Sequence, residues 1–169
     1  MKKSVLFSLI AVFIFFLLKL CHVDIQYVQK TQPFELPSVS SLKSFDGQEI
    51  VLPKKPFFML FITTRCPYCK MMHLFFKKEK TPYPIVAVLM EKEAQEAVLE
   101  FFGNNHPYAV LAVDEENVWK KALRIVSIPE MFFIKENKVF ARISGMFNQK
   151  GWKDKILPAM KEFDNDIQK

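Results

Sequence analysis

Two cysteines three positions apart, Cys66 and Cys69 in "TTRCPYCK", are the residues of this chain best placed by type and spacing to do chemistry. A Cys-x-x-Cys pair serves dithiol exchange, half of a zinc site, haem attachment or a plain structural bridge, so its surroundings decide. Dithiol exchange needs one accessible, ionisable thiol and a second within reach to expel the mixed disulfide. On a helix the spacing sets the two thiols on successive turns. If the pair opens a helix, the unpaired N–H groups and partial positive charge there favour thiolate over thiol. Cys66 would then attack and Cys69 would resolve. Arg65 adds positive potential, and Pro67 and Tyr68 shape the turn between the two sulfurs.

The other uses fit less well. Zinc needs about two more ligands. His73 extends the pattern to Cys-x-x-Cys-x-x-x-His, but there is no second Cys or His pair and His106 stands alone. Haem attachment needs histidine directly after the second cysteine, where Lys70 stands. A structural bridge across two residues closes too short a loop to stabilise much. No metal and no cofactor beyond a Cys66–Cys69 disulfide is expected.

The elements around the pair position it. The apolar run "FFMLFIT" immediately before it has the length and continuity of a central strand covered on both faces. The stretch after it continues as a helix with Met72, Phe75 and Phe76 on one side, and Pro67 suits its first turn. "YPIVAVLM" is a second buried strand. "EKEAQEAVLEFFG" is an amphipathic helix stopped by Gly103, with Ala94, Ala97, Val98 and Phe101 at helical spacing. "AVLAV" is a short strand and "DEENVWKKALRI" a helix. "SIPEMFFIKENKVFARISG" reads as a hairpin turning at Glu136-Asn137. The tail is a helix with Trp152, Ile156, Met160 and Phe163 on one face, bent or shortened by Pro158. Upstream, "VSSLKSFDGQEIVLP" reads as a hairpin around Asp46-Gly47. This order predicts an α/β sheet with helices on both faces and the cysteines at the carboxyl end of a central strand, where open α/β sheets place their chemistry.

The 169 residues hold one ordinary domain plus an appendage, and the 18 phenylalanines supply a large aromatic core, which excludes global disorder. A net charge of +6 scattered among acids, with no basic run interleaved with aromatics, argues against nucleic-acid binding. The amino terminus, "MKKSVLFSLIAVFIFFLLKLCHVD", has the charged start and apolar stretch of an export signal without a small-x-small cleavage site. Residues 1–23 are expected to be an uncleaved signal anchor in a bacterial-type inner membrane, a single pass with the rest facing the periplasm. A cleaved signal, giving a secreted form, and a lipid-modified Cys21 rank behind it. Residues 24–37, polar with two prolines, read as a linker, and 38–169 as the domain.

The strand ending in "FITTRCPYCK", with "SIPEMFFI" and the hairpin after it, resembles the thioredoxin superfamily. The intervening strand and helix, with the upstream hairpin, is similar to its TlpA-like branch of membrane-tethered exported members, which includes those of cytochrome c maturation. The resemblance implies a thioredoxin fold with an N-terminal β-hairpin and an inserted strand-helix. It also implies a cis Pro129 against the cysteines, with Ile128-Pro129 as the client-facing wall, and Glu130 as a candidate acid/base residue. The implied partners are protein thiols and disulfides, apo-cytochrome c among them, and a membrane electron donor or acceptor. The chain departs from the family at Arg65, where tryptophan is usual, and at Leu60, where the family's buried acid would stand. A thioredoxin-like metallochaperone, a non-catalytic binding module and a peroxide reductase are the rival readings. The last has Thr63 in place, but Met59 where its proline belongs. His73 reads as a solvent-facing helix residue, and Trp119 and Trp152 as core.

Overall fold

The computed structural model describes residues 28–38, 41–90, 95–103 and 105–165. Six strands form one sheet in the order β1-β6-β5-β2-β3-β4. β2 (Phe57–Ile62), β3 (Ile85–Leu89) and β4 (Val110–Val113) are parallel neighbours, while β5 (Glu130–Lys135), β6 (Lys138–Ser144) and β1 (Val28–Glu35) extend the other side antiparallel. α1 (Pro67–Lys78) links β2 to β3, α2 (Gln95–Phe102) lies between β3 and β4, and α3 (Val118–Ala122) precedes β5. The chain ends in α4 (Gln149–Gly151), a π-helical segment Trp152–Ile156, and α5 (Leu157–Asn165).

β2 sits centrally and is buried along its whole length because its residues alternate between two cores. Phe58, Leu60 and Ile62 pack with Cys69, Met72, Phe76, Phe101 and Trp152, beneath α1, α2 and the C-terminal helices. Phe57, Met59 and Phe61 pack with Leu42, Trp119, Leu123 and Phe132, beneath α3. The Trp119 indole donates to Ser41 Oγ at 2.9 Å, tying the segment ahead of β2 over that second core. Asp114, fully buried at the end of β4, accepts from the backbone N–H groups of Trp119 (3.2 Å) and Lys120 (2.8 Å), satisfying two donors at the start of α3.

Two expectations change. Residues 24–37 are not simply a linker: β1 pairs antiparallel with β6, from Val28↔Ile143 to Glu35↔Lys138. Its side chains are mostly exposed, so an edge strand held by backbone bonds carries no apolar alternation in "VQKTQPFE". Pro33 falls in the register shift between Lys30 and Phe34, a place where a residue without an N–H is tolerated. The N-terminal hairpin shrinks to a turn. Gly47 has φ +83 and its N–H reaches Ser44 O at 3.0 Å, but only a single bridge, Lys43↔Glu49, flanks it. Lys43 uses its backbone on Val113 instead, at 3.2 and 2.7 Å, while Leu42, Ile50 and Leu52 go down onto the α3-side core. Pro158 interrupts the regular α-helix, and the helical run continues past it to Asn165. The turn before it widens, with Leu157 N–H reaching back five residues to Trp152 O, and Trp152, Ile156 and Met160 all remain buried.

The β5–β6 hairpin turns at Glu136 and Asn137, with φ +50 and +60, the doubly left-handed pair that matches strand twist. The anchor expected over residues 1–23 lies outside the described residues. Among the described residues no helix is long and apolar enough to cross a membrane.

Candidate active site

β2 delivers the chain to Thr63–Arg65, and Cys66 is the N-cap of α1, with extended backbone (φ −89, ψ 115) and Pro67 in the first turn. A proline there sacrifices no helix bond, because the first N–H groups of a helix have no partner within it. The Cys66 sulfur takes the role an N-cap oxygen usually plays: Cys69 N–H donates to Cys66 Sγ at 3.3 Å. Cys66 is half-buried and Cys69 fully buried, and both are thiols in this structure. One sulfur is therefore reachable and the other shielded behind it.

Across from the cysteines the Ile128-Pro129 peptide is cis. The Cys66 thiol points at the Ile128 carbonyl, Sγ to O 3.9 Å. The end of β6 secures this segment through Gly145 N–H donating to Pro129 O at 3.2 Å. Tyr68 projects outward, 59% exposed, at the lip of the site. Two grooves flank the pair. One is lined by Thr64, Arg65, Cys66, Lys70 and Glu100; the other, beyond Ile128, is lined by Thr63, Met90, Lys120 and the 90%-exposed Val126. Lys70 braces the first groove by donating to Phe101 O (3.0 Å) and Glu100 O (3.4 Å), carbonyls at the end of α2.

Cys66, Pro67, Tyr68, Cys69, Ile128 and Pro129 thus come together. Glu130 does not join them as an acid/base. Its carboxylate is buried, accepts from Arg142 Nε (2.6 Å) and Nη2 (2.7 Å) and from Ser144 Oγ (2.7 Å), and alternates along β5 with Phe132 and Ile134 of the α3-side core. Cys69 belongs to the core on the opposite face of the sheet. An acid directly after the cis proline is turned away from the thiols because consecutive strand residues point to opposite faces.

His73 is the other correction. It is 1% exposed, and its Nδ1 lies 3.1 Å from the Tyr108 hydroxyl, among the rings of Phe101 and Phe102. Desolvation, helped by the charges of Lys77, Lys70 and His106, lowers its pKa to about 4. Burial raises the Tyr108 phenol well above its ordinary value, and the Cys69 charge pushes it the same way. The sequence held a signal for this: Cys69, Met72, His73 and Phe76 follow the spacing of one buried helix face. Leu60, where the family's acid would stand, is buried in the same core. Among the described residues no group of three or more His, Cys, Asp or Glu side chains gathers as metal ligands would.

A vicinal dithiol at a helix N-terminus, at the carboxyl end of a central parallel strand and against a cis X-Pro bond, defines the class: a thioredoxin-like thiol–disulfide oxidoreductase. The chain belongs to the thioredoxin-like domain family, whose profile matches residues 46–158. It is similar to the thiol:disulfide interchange protein DsbE of Escherichia coli K12, 24% identical over 137 residues that cover 79% of this chain and 73% of that one. The DsbE of Yersinia pestis is 26% identical over 123 residues, 72% of this chain and 65% of the other. The fold is shared with a secreted Mycobacterium tuberculosis disulfide oxidoreductase described as homologous to E. coli DsbE (TM-score 0.56, 14% identity, 69% of this chain and 92% of that one). A DsbE-type protein from Chlorobium tepidum shares it too (TM-score 0.53, 17% identity, 80% and 99%).

Proposed function

We propose that Cys66 and Cys69 are the redox couple and that the protein exchanges disulfides with exported protein clients. The supporting observation is the environment of Cys66 Sγ: half-exposed at a helix N-terminus, accepting Cys69 N–H, and facing the carbonyl of a cis Ile128-Pro129 bond. A Cys66 thiolate attacks a client disulfide, breaking the client S–S bond and forming a mixed disulfide while one client sulfur leaves as thiolate. Cys69 then attacks Cys66 Sγ, the Cys66–Cys69 bond forms, and the second client sulfur leaves. Two electrons pass from the protein dithiol to the client, which ends as two thiols. The reverse sequence oxidises a client.

Clients of this reading present an extended segment to the Ile128-Pro129 wall, with side chains in the two grooves. Apo-cytochrome c, with two cysteines close together in an extended stretch, is the client class we propose; the likeness to the TlpA-like branch supports it. Residues 1–23 would tether the domain to the inner membrane on its periplasmic side, where a membrane protein supplies or removes electrons. The direction of flow is set by the potential of the couple against that partner, about 30 mV being worth ~1.4 kcal/mol.

The test is trapping. Cys69→Ser is expected to accumulate mixed disulfides with exported clients through Cys66, and Cys66→Ser to accumulate none. Equal capture by the two variants, or a Cys66–Cys69 pair that does not equilibrate with a thiol buffer, would refute the assignment. Membrane fractionation of the full chain, with protease added from outside, tests the tether.

A further inference from the structure

When Cys69 resolves the mixed disulfide it must give up its proton inside the core. Cys69 is fully buried, and Leu60, in the same core, accepts nothing. The buried histidine and carboxylate side chains among the described residues are His73, Asp114 and Glu130. Asp114 is committed to the N–H groups of α3, and Glu130 to Arg142 and Ser144 on the other face of the sheet. His73 is the one that shares the face of Cys69, four residues further along α1, so its ring lies one helical turn from the thiol. Tyr108, in the same core as Cys69, closes on His73 with the 3.1 Å contact between Oη and Nδ1.

We propose that Tyr108 and His73 form the proton relay of Cys69, in the place of the acid that the family resemblance would put where Leu60 stands. This rests on Cys66 and Cys69 being the redox couple. With the His73 proton on Nε2, Tyr108 O–H donates to Nδ1 and its oxygen is left to accept from the thiol. As Cys69 attacks Cys66 Sγ, the thiol proton moves to Tyr108 Oη and the phenolic proton to His73 Nδ1. The client sulfur leaves with the electron pair of the broken bond and is protonated from solvent, and His73 returns its proton to solvent. Run backwards, the relay protonates the Cys69 thiolate as an incoming dithiol reduces the pair.

Burial and the neighbouring positive charges keep the His73 ring a neutral acceptor, against the smaller opposing pull of the Phe102 backbone. Lys70 and Lys77 act from its own helix, Phe101 and Phe102 pack from α2, and His106 and Tyr108 approach from the segment before β4. Its pKa of about 4 leaves it neutral throughout the working pH range. Half-buried His106 stacks on the Tyr108 ring (5.8 Å, 26°), which continues the polar cluster toward the loop.

The experiment follows reduced full-length protein in a Cys21→Ser background, which leaves Cys66 and Cys69 as its two thiols, reacting with the aromatic disulfide dithiobis-nitrobenzoate by stopped flow. The first equivalent of nitrothiophenolate reports attack by Cys66; the second, released without further reagent, reports resolution by Cys69. For the unmodified chain the second phase is expected to be nearly flat from about pH 5.5 to about 7.5, because the relay and not the thiolate fraction supplies the base. In Tyr108→Phe and in His73→Gln it is expected to slow at least about tenfold at the acid end and to rise about tenfold per pH unit, with the first phase unchanged. A loosened core would not convert a flat profile into one of unit slope. Tyr108→Phe removes a single oxygen, so it carries the test if His73→Gln does not fold. Second phases that coincide with the unmodified chain in rate and pH profile overturn the relay while leaving the couple intact. An unmodified chain that shows no second phase overturns the couple, and the relay with it.

Discussion

Glu130 and Arg142 hold each other through two hydrogen bonds, Nε to Oε1 at 2.6 Å and Nη2 to Oε2 at 2.7 Å, across adjacent strands on the face of the sheet away from Cys69. Fork-to-carboxylate pairing of this kind is the strong form of an ion pair. With Ser144 Oγ also donating, both oxygens of the buried carboxylate are engaged on the far face of the sheet. It therefore locks β5 to β6 just behind the cis bond and has no part in moving protons at the thiols. Glu130→Ala is expected to destabilise the protein by about 2 kcal/mol, below the cost of stranding a fully buried partner because the Arg142 side chain is 22% exposed. Reaction with a small disulfide should stay within about twofold of normal once the variant is folded. Denaturant titration and stopped flow measure the two quantities. A folded variant with collapsed exchange would return Glu130 to the chemistry.

Burial of His73 makes stability depend on pH in a defined window. Its folded pKa of about 4 lies below the ordinary 6.5, so the unfolded chain binds more protons between those values. Stability from this group is complete above about pH 6.5 and falls as pH drops toward 4, by on the order of 3 kcal/mol. In His73→Phe that slope should vanish while other groups keep theirs. Unfolding curves for both proteins at several pH values check it; parallel pH dependences would show that the buried ring is not what titrates.

Asp114 answers two backbone donors of α3 with one carboxylate. Asp114→Ala should cost about 2–3 kcal/mol, since it strands buried N–H groups as well as removing a helix cap. Thermal denaturation would show the loss; a melting temperature unchanged from the parent would mean that the start of α3 finds other acceptors.

β1 covers the backbone edge of β6. Comparing a chain that begins at residue 28 with one that begins at residue 36, the shorter is expected to melt lower and to self-associate, because an unpaired strand edge templates pairing with another copy. Sedimentation and thermal melting report both effects. Two chains alike in melting and both monomeric would reduce β1 to an ornament of the sheet.

The sequence alone carried the parts whose signals are local and periodic. The continuous apolar run of β2, the Cys66-Pro67 start of α1, the amphipathic spacing of α2 and the β5–β6 hairpin are each written in a few adjacent residues, and the dithiol is placed by its strand and helix neighbours. β1 escaped because an edge strand needs only backbone partners and shows polar side chains to solvent. The Asp46-Gly47 turn was legible, but the fate of its flanks was not, since Val113, seventy residues away, competes for the backbone of Lys43. The setting of Glu130 followed from which face of the sheet it meets, a matter of register and of Arg142 twelve residues on. The pairing of His73 with Tyr108 exists only once α1 and the segment before β4 pack together. Spacing along a chain determines which residues share an element and a face; which face meets which neighbour is decided by packing, and packing is where the proton of Cys69 finds its way out.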